Sequence, residues 1–296
     1  MNDMQLPADG EKLTAPTGAQ AVSVLNLDGS RKSDFVIDEV PAALVYNGIS
    51  HTVMMVTPQH LEDFALGFSL AEGIVQDVSD VYDIEVQPGC GRGYEVHLTV
   101  SSESFWKLKE HRRTMAGRTG CGICGTESLE GVMRPLKALS FTQRFDLKHY
   151  GAGLAGIAQT EELRSLTGGT HAAVWLRHDG TVAFGREDVG RHVALDKLLG
   201  CRARTKELDG ALFVSSRASY EMVQKAAACG VEILFAVSAP TALAVEVAQR
   251  CNLTLAAFCR DKRANIYTHP QRLIGLCLSS SRSPADRTAF PDTRSS

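Results

Sequence analysis

The chain has 296 residues, of which 44% are hydrophobic and 22% charged, and such a composition is typical of soluble globular proteins with one large domain or two smaller ones. Its 31 Lys and Arg residues against 34 Asp and Glu residues give a formal net charge of −3, which excludes a broadly basic protein that binds nucleic acid or anionic membranes. No stretch approaches the roughly 20 apolar residues of a membrane span, and residues 1–20 lack a signal-peptide pattern, so we expect a cytoplasmic protein.

The two ends of the chain lack hydrophobic periodicity. Residues 1–22 and 279–296 are therefore expected to be disordered tails. The change of sequence texture between them predicts an N-terminal α+β subdomain at residues 23–140 and a C-terminal α/β domain at residues 141–278.

The predicted N-terminal subdomain begins with two apolar runs in residues 40–57, separated by Asn47-Gly48. This dipeptide favours a tight hairpin turn between antiparallel strands. Thr57-Pro58 is expected to cap a helix that ends near Gly73. Two further strands are predicted at residues 81–87 and 94–100.

The apolar residues of this predicted helix recur at the spacing of one buried face, and they are Leu61, Phe64, Ala65 and Phe68. After the fourth strand, residues 115–128 read MAGRTGCGICGTES. Four glycines and several small hydroxyl residues leave little to bury, so we expect an exposed and mobile loop here.

The C-terminal domain is predicted to begin with strands at residues 172–176 and 181–184, joined across Asp179-Gly180, and a helix from about residue 190 to 199. An alternating β-α-β-α-β series follows at residues 212–215, 219–229, 231–237, 241–251 and 253–258. Such a series predicts a mostly parallel sheet with helices on both faces.

The strongest chemical signal is the Cys121-Gly-Ile-Cys124 sequence within the glycine-rich loop. Two thiols at this spacing could share a metal, form a redox disulfide, or act as a sulfur carrier and its resolving thiol. Structural zinc normally needs a second close pair of ligands, and the sequence contains none, so we predict no bound metal. Only the fold could show whether Cys90 and His171 complete such a site.

Two glycine-containing turns precede regular elements of the C-terminal domain, TGGTH at residues 167–171 and GREDVGRH at residues 185–192. A glycine turn that opens a helix presents free backbone N–H groups, and nearby cationic side chains add donors for an anion. The candidate residues are Thr170, His171, Arg186, Arg191 and His192. The alternative is structural: Asp188 would cap the helix, and Arg186 would pair with Glu187.

A third candidate segment follows the last strand of the series, where ligands bind on parallel sheets. It consists of Phe258, Cys259, Arg260, Asp261, Lys262 and Arg263. Its three cations suit a phosphate, although a solvated basic turn is the commoner role of such a run. The cysteines at positions 201, 229, 251 and 277 lie in apolar segments and are expected to be small buried hydrophobes.

Taken together, these motifs resemble the FdhD family of formate dehydrogenase accessory sulfurtransferases. The similarity extends over residues 40–276. It rests on TGCGICG at residues 119–125, TGGTH at 167–171, REDVGRH at 186–192 with Asp196-Lys197, and FCRDKR at 258–263, with further similarity in Thr57-Pro58, LEDFALGF at 61–68 and Glu72-Gly73. The resemblance implies a homodimer whose C-terminal domain has a cytidine-deaminase-like α/β fold without the catalytic zinc.

The resemblance also implies a sulfur relay. A cysteine desulfurase would load a persulfide onto Cys121, and Cys124 would serve as a resolving thiol. The sulfur would pass to molybdenum, or tungsten, held as the bis-molybdopterin guanine dinucleotide cofactor, before that cofactor enters the catalytic subunit of formate dehydrogenase. By the same motif matching, residues 258–263 would contact the guanine dinucleotide, although Asp261 replaces the small or polar residue common there.

Two other functions use parts of the same pattern. A zinc-dependent nucleotide deaminase would need His-x-Glu or Cys-x-Glu together with Pro-Cys-x-x-Cys, and this chain has neither the first motif nor a proline before Cys121. A chaperone for cofactor insertion would use the same surfaces without transferring sulfur.

Overall fold

The computed structural model describes residues 14–89, 91–118 and 136–276. Its strands are β1 (Ala19–Leu25), β2 (Arg31–Ile37), β3 (Val40–Tyr46), β4 (Ile49–Val56), β5 (Val81–Pro88), β6 (Tyr94–Val100), β7 (Phe145–Asp146), β8 (His171–Leu176), β9 (Val182–Asp188), β10 (Ala211–Val214), β11 (Ile233–Ala236), β12 (Thr254–Arg260), β13 (Arg263–Ile266) and β14 (Leu273–Ile274). Its helices are α1 (Leu61–Ala71), α2 (Ser102–Arg118), α3 (Tyr150–Thr160), α4 (Glu162–Thr167), α5 (Arg191–Thr205), α6 (Tyr220–Ala228) and α7 (Ala242–Arg250).

The N-terminal half is built on a four-stranded sheet with the strand order β4-β3-β6-β5. The β3–β4 hairpin turns at Asn47-Gly48, and both residues have the positive φ angles that such a turn requires, which confirms the hairpin predicted there. Helix α1 packs its predicted apolar face on this sheet. Its N-terminus was predicted incorrectly, because the helix begins after His60 and the Thr57 side chain donates instead to a distant carboxylate.

The C-terminal half is built on a six-stranded sheet with the order β13-β12-β11-β10-β8-β9. The α/β class predicted from the sequence is confirmed, but the sheet is mixed and not mostly parallel. Among the described strands of this sheet, only β10–β11 and β11–β12 pair in parallel. The tight turn after β8 sends β9 back antiparallel, β8 itself runs antiparallel to β10, and β13 folds back on β12.

Both faces of the six-stranded sheet are covered by helices, as predicted. Alternate residues of each strand point to opposite faces. Ala173 and Trp175 of β8 belong to the core formed with α5, α6 and α7. Val174 and Leu176 belong to the core on the other face, which includes Tyr150 and Ile157 of α3. The sheet is therefore a rigid base whose edges carry the loops.

Several described elements were not predicted from the sequence, and they are the β1–β2 hairpin, the short strands β7, β13 and β14, and helices α2, α3 and α4. Strand β1 begins at Ala19, so the predicted tail 1–22 extends too far. Helix α2 continues to Arg118, so the loop predicted at 115–128 begins too early. The start of α2 had a readable signal, because the backbone N–H of Ser104 donates to the Ser101 hydroxyl at 3.2 Å in an N-terminal cap.

Helices α1 and α5 join the two halves through direct backbone contact. A Cβ atom at Gly67 would lie 1.8 Å from the carbonyl oxygen of Asp196, and one at Gly200 would lie 1.9 Å from that of Asp63. Such distances leave no room for any side chain at either glycine. The close helix crossing therefore depends on these two residues.

We expect Gly67→Ala to destabilise the protein by about 1–3 kcal/mol or more, because the added methyl group must push the two helices apart. Gly151→Ala is the matched control, since the Cβ site in this helical position has no heavy atom within 4 Å. That change should be neutral or stabilising by up to about 1 kcal/mol. Urea unfolding followed by circular dichroism measures both, and equal stability of the two variants would contradict the close crossing.

Candidate functional site

The candidate site lies at one edge of the six-stranded sheet, which we call the carboxyl edge. Strands β9, β10, β11 and β12 run in the same direction and end there, whereas β8 begins there with His171. The loops after the strands are hydrogen-bonded to one another. The backbone N–H of Phe258 donates to the Ser238 carbonyl at 3.1 Å, and Arg260 Nη1 donates to the Val237 carbonyl at 2.9 Å.

The carboxyl edge carries a cluster of cationic and neutral nitrogen donors. The His171 ring is half-buried, and its Nδ1 atom is buried without a hydrogen-bond partner among the described residues. Burial lowers the pKa of His171, and the positive charges of Arg164, Arg191 and Arg217 lower it further. His171 is therefore neutral at pH 7 in the absence of a bound anion.

Two of these three arginines have no acidic partner among the described residues. In the part of the chain that the structure describes, neither Arg191 nor Arg217 has an acidic side chain within ion-pair distance, and Arg191 Nε is buried without a partner. Buried donors are normally hydrogen-bonded, so an unpartnered one indicates a ligand or water at that position. Arg191 is the first residue of α5, shortly after β9, and Arg217 follows β10, so both lie at the carboxyl edge.

Helix N-termini add to the positive potential at this edge. Gly190 is the N-cap residue of α5 and Ser219 is the N-cap residue of α6, and neither makes a side-chain cap hydrogen bond. The Ser219 hydroxyl is buried and has no partner among the described residues. Free N–H groups and the helix dipole at such positions favour an anion. The donor set therefore fits phosphate groups.

The segment from Phe258 to Arg263 forms the end of β12 and the turn into β13, at the same carboxyl edge of the sheet as these donors. Phe258 has a positive φ of 53° and is 42% exposed, an unusual conformation and position for a bulky aromatic residue. The Tyr150 hydroxyl is 3.0 Å from the Arg260 carbonyl and 2.9 Å from the Arg263 carbonyl, which fixes the turn. The side chains of Arg260, Asp261, Lys262 and Arg263 are exposed.

Three residues predicted as cofactor contacts are used inside the protein. Arg186 donates to the buried Asp63 carboxylate through Nε at 2.9 Å and Nη2 at 2.7 Å. The buried Thr170 hydroxyl donates to the Glu187 carboxylate, and the Cys259 side chain is buried. We therefore leave these three out of the contact set proposed below. His192 lies at the edge and is 2.8 Å from the Glu221 carboxylate.

The structural alternative for the turn after β9, in which Asp188 caps helix α5, is also wrong. Asp188 does not cap α5, and its carboxylate lies 2.6 Å from the Nζ atom of Lys197. Both side chains are fully buried, and burial lowers the pKa of Lys197. Thr57 donates to Asp188 Oδ2 through its backbone N–H and its hydroxyl, each at 2.9 Å, and Gly190 N–H donates to Oδ1 at 2.8 Å.

This buried cluster was not predicted, because no local signal indicates that Thr57 meets residues more than 130 positions away. This buried cluster also determines the position of part of the candidate site. The Asp188 carboxylate fixes the backbone of Gly190, which is the residue before Arg191. The N-terminal half of the chain therefore helps to hold the start of α5 at the carboxyl edge.

The described cysteines are poor candidates for sulfur chemistry. Cys201, Cys251 and Cys259 are buried, as predicted for the first two, whereas Cys229 is partly exposed. Burial raises the pKa of each thiol, to about 11 for Cys259 and about 12 for Cys229. These thiols are protonated at pH 7 and are weak nucleophiles. Cys121 and Cys124, like Cys90 and Cys277, lie outside the described residues.

Among the helices of residues 14–89, 91–118 and 136–276, none is both long enough and apolar enough to span a bilayer. No group of three His, Cys, Asp or Glu side chains in these ranges is arranged to hold a metal ion.

Comparisons with known proteins agree with the motifs. The sequence model of the FdhD/NarQ family matches residues 37–274. Among solved structures, the fold is similar to the crystal structure of a proposed formate dehydrogenase accessory protein from Desulfotalea psychrophila. The two structures superimpose with a TM-score of 0.66 at 22% sequence identity, and the alignment covers 86% of this chain and 98% of the other.

Proposed function

Because the chain belongs to the FdhD/NarQ family, we propose that it is an accessory sulfurtransferase in the maturation of formate dehydrogenase. In this proposal Cys121 accepts sulfur from the persulfide of a cysteine desulfurase. The sulfur then passes to the molybdenum or tungsten of the bis-molybdopterin guanine dinucleotide cofactor, which is the acceptor substrate. The sulfurated cofactor is delivered to the catalytic subunit of formate dehydrogenase, in the cytoplasm, by a dimer of this chain.

The observation that carries the acceptor side of the proposal is the set of unpartnered donors at the carboxyl edge. His171 Nδ1, Arg191 Nε and the Ser219 hydroxyl are buried without partners among the described residues, and Arg217 has no acidic partner there. A guanine dinucleotide presents a diphosphate that accepts hydrogen bonds from such groups. We assign the phosphates to these donors.

The turn after β12 supplies the rest of the proposed binding surface. The Phe258 ring offers an exposed aromatic face for the guanine, and the side chains of Arg260, Lys262 and Arg263 add positive charge. Asp261 opposes this charge in part, so we expect its side chain to point away from the phosphates. His192 lies at the same edge, and its Nε2 atom is 2.8 Å from the Glu221 carboxylate.

Two thiols, those of Cys121 and Cys124, are sufficient for a chemically balanced sulfur transfer. The Cys121 thiolate attacks the outer sulfur of the desulfurase persulfide, so that a new S–S bond forms on Cys121 and the desulfurase leaves as a thiolate. Attack of the Cys124 thiolate on the Cys121 sulfur then releases hydrosulfide to the acceptor and leaves a Cys121–Cys124 disulfide. A cellular dithiol must reduce this disulfide by two electrons before the next cycle. The raised pKa values of the described thiols support a carrier elsewhere in the chain.

The direct test is to incubate the full-length protein with desulfurase and L-cysteine and then to map peptides by mass spectrometry. We expect one added sulfur, about +32 Da, on the peptide that contains Cys121, and its loss after addition of dithiothreitol. An added sulfur on another cysteine would overturn the assignment of the carrier. Undiminished cofactor binding without any sulfur adduct would identify a chaperone for cofactor insertion instead.

The assignment of the phosphates gives a separate prediction. Replacing Arg191 or Arg217 by Gln removes a charged donor, and each change should weaken GDP binding by roughly tenfold, or about 1.4 kcal/mol. Isothermal titration with GDP at two salt concentrations measures the effect, and the salt dependence should fall with each lost charge.

The matched control is Arg250→Gln, because Arg250 is an exposed arginine on α7 whose one ion pair within the described residues is with Glu246, at 3.3 Å. Its GDP affinity should equal that of the wild type. If the Arg191→Gln and Arg217→Gln proteins both bind GDP as tightly as the wild type does, the assignment of the phosphates to the carboxyl edge is wrong.

A further inference from the structure

The Phe258 backbone has a conformation that a bulky residue adopts only when its surroundings hold it there. Its φ angle of 53° lies in the left-handed region, where a large side chain is strained. The strain accompanies a β-bulge, because Phe258 and Cys259 of β12 stand opposite the single residue Ala264 of β13. The Phe258 side chain is 42% exposed and the Cys259 side chain 1% exposed. The bulge therefore places the Phe258 ring at the surface.

The Tyr150 hydroxyl holds both strands of this hairpin. It shares its proton between the Arg260 carbonyl of β12, at 3.0 Å, and the Arg263 carbonyl of β13, at 2.9 Å. Arg260 and Arg263 are the pair that closes the turn, and Arg260 follows Phe258 by two residues. A hydrogen bond at this point therefore opposes any relaxation of the strained bulge that would move the turn.

The position of Tyr150 is itself fixed by the core. Tyr150 is the first residue of α3 and is 8% exposed. The centre of its ring lies 5.7 Å from that of Phe235 and 6.2 Å from that of Phe213, in the core on one face of the six-stranded sheet. The ring therefore supplies packing, and the hydroxyl supplies the contact with the turn.

We infer that Tyr150 is a positioning residue for base recognition, because its hydroxyl holds the turn after β12 in the conformation that presents the Phe258 ring to the guanine. This inference rests on the proposed function, in which that ring offers its face to the base. The proposed phosphate donors lie on other elements, His171 at the start of β8, Arg191 in α5 and Arg217 after β10. Loss of the Tyr150 hydroxyl should therefore weaken binding of the base and leave binding of the phosphates unchanged.

The test compares GDP with inorganic pyrophosphate in isothermal titrations of the full-length Tyr150→Phe protein, which keeps the ring and lacks the hydroxyl. GDP should bind about fivefold more weakly than it does to the wild type, because part of the stacking energy of one base is lost. The affinity for pyrophosphate, which has no base, should not change.

Tyr46→Phe is the matched control. It removes the hydroxyl of a fully buried tyrosine in the N-terminal half, where this group lies 2.7 Å from the Ser69 hydroxyl. The control protein should bind both ligands as the wild type does. Both variants lose a buried hydroxyl, so a loss of GDP affinity confined to Tyr150→Phe is not a general effect of destabilisation.

A second measurement follows the turn in the absence of any ligand. The Phe258 amide donates to the Ser238 carbonyl at 3.1 Å, and its hydrogen exchange should be faster in Tyr150→Phe than in the wild type or in Tyr46→Phe. Unchanged exchange of this amide, wild-type GDP affinity of Tyr150→Phe, or an equal loss of GDP and pyrophosphate binding would each overturn the inference. A wild-type protein that binds neither ligand would overturn the proposed function, and with it the role of Tyr150 in base recognition.

Discussion

Cys121→Ala is expected to abolish sulfur transfer from the desulfurase while leaving the fold and GDP binding intact. No described thiol can replace it, because burial raises the pKa values of Cys201, Cys229, Cys251 and Cys259 and keeps these groups protonated. Transfer of ³⁵S from labelled cysteine measures the loss, and the melting temperature and a GDP titration report on fold and binding.

Cys229→Ala is the matched control for this experiment, since Cys229 is the least buried of the described cysteines, yet burial raises its pKa to about 12. It should transfer sulfur at the wild-type rate. Cys124→Ala separates the two chemical steps, because it should still be loaded with sulfur but release it slowly. Sulfur transfer at the wild-type level by the Cys121→Ala protein would show that Cys121 is not the sulfur carrier.

Lys197→Met is expected to lower the free energy of unfolding by about 3–5 kcal/mol, the usual cost of leaving a buried charge without its partner. The Lys197 ammonium is fully buried, lies 2.6 Å from the Asp188 carboxylate, and donates to the Thr57 hydroxyl at 2.8 Å. After the change, the donors left to the Asp188 carboxylate among the described residues would be those of Thr57 and Gly190. Urea denaturation gives the difference in unfolding free energy.

The control is Arg250→Met, which breaks the exposed pair with Glu246 and should cost no more than about 0.5 kcal/mol. The double variant Asp188→Leu with Lys197→Met should be less damaging than the sum of the two single changes, because it removes both buried charges together. A loss of less than about 1 kcal/mol in the Lys197→Met protein would mean that the Asp188–Lys197 pair does not stabilise the buried cluster in which Thr57 of the N-terminal half takes part.

Local patterns in the sequence were sufficient for part of the fold. The Asn47-Gly48 turn, the apolar face of α1 and the alternating series after β10 depend on residues close together in the chain, and the structure confirms each of them. The family, too, was identified from short motifs. The same local reading missed α3 and the β1–β2 hairpin.

For the candidate site, the sequence identified the chemistry of the residues but not their partners. Arg186 was expected to face an anion, and the structure places it against Asp63 of α1, 123 residues away. Arg217 follows a predicted strand, and only the structure places it close enough to His171 for its charge to lower the pKa of that ring. A charged side chain looks the same in the sequence whether it meets a ligand or a buried carboxylate.

The sequence by itself determined the family, the alternating series of strands and helices from β10 to β12, and the candidate thiols Cys121 and Cys124. Only the tertiary structure decided that β8 and β13 run antiparallel to their neighbours, that Lys197 is buried, and that His171, Arg191 and Arg217 meet at one edge of a sheet. The physical reason is the separation along the chain between the residues that interact. Turns and helix faces follow from neighbouring residues, whereas strand direction and ion pairing depend on contacts such as Thr57 with Asp188, which lie 131 residues apart.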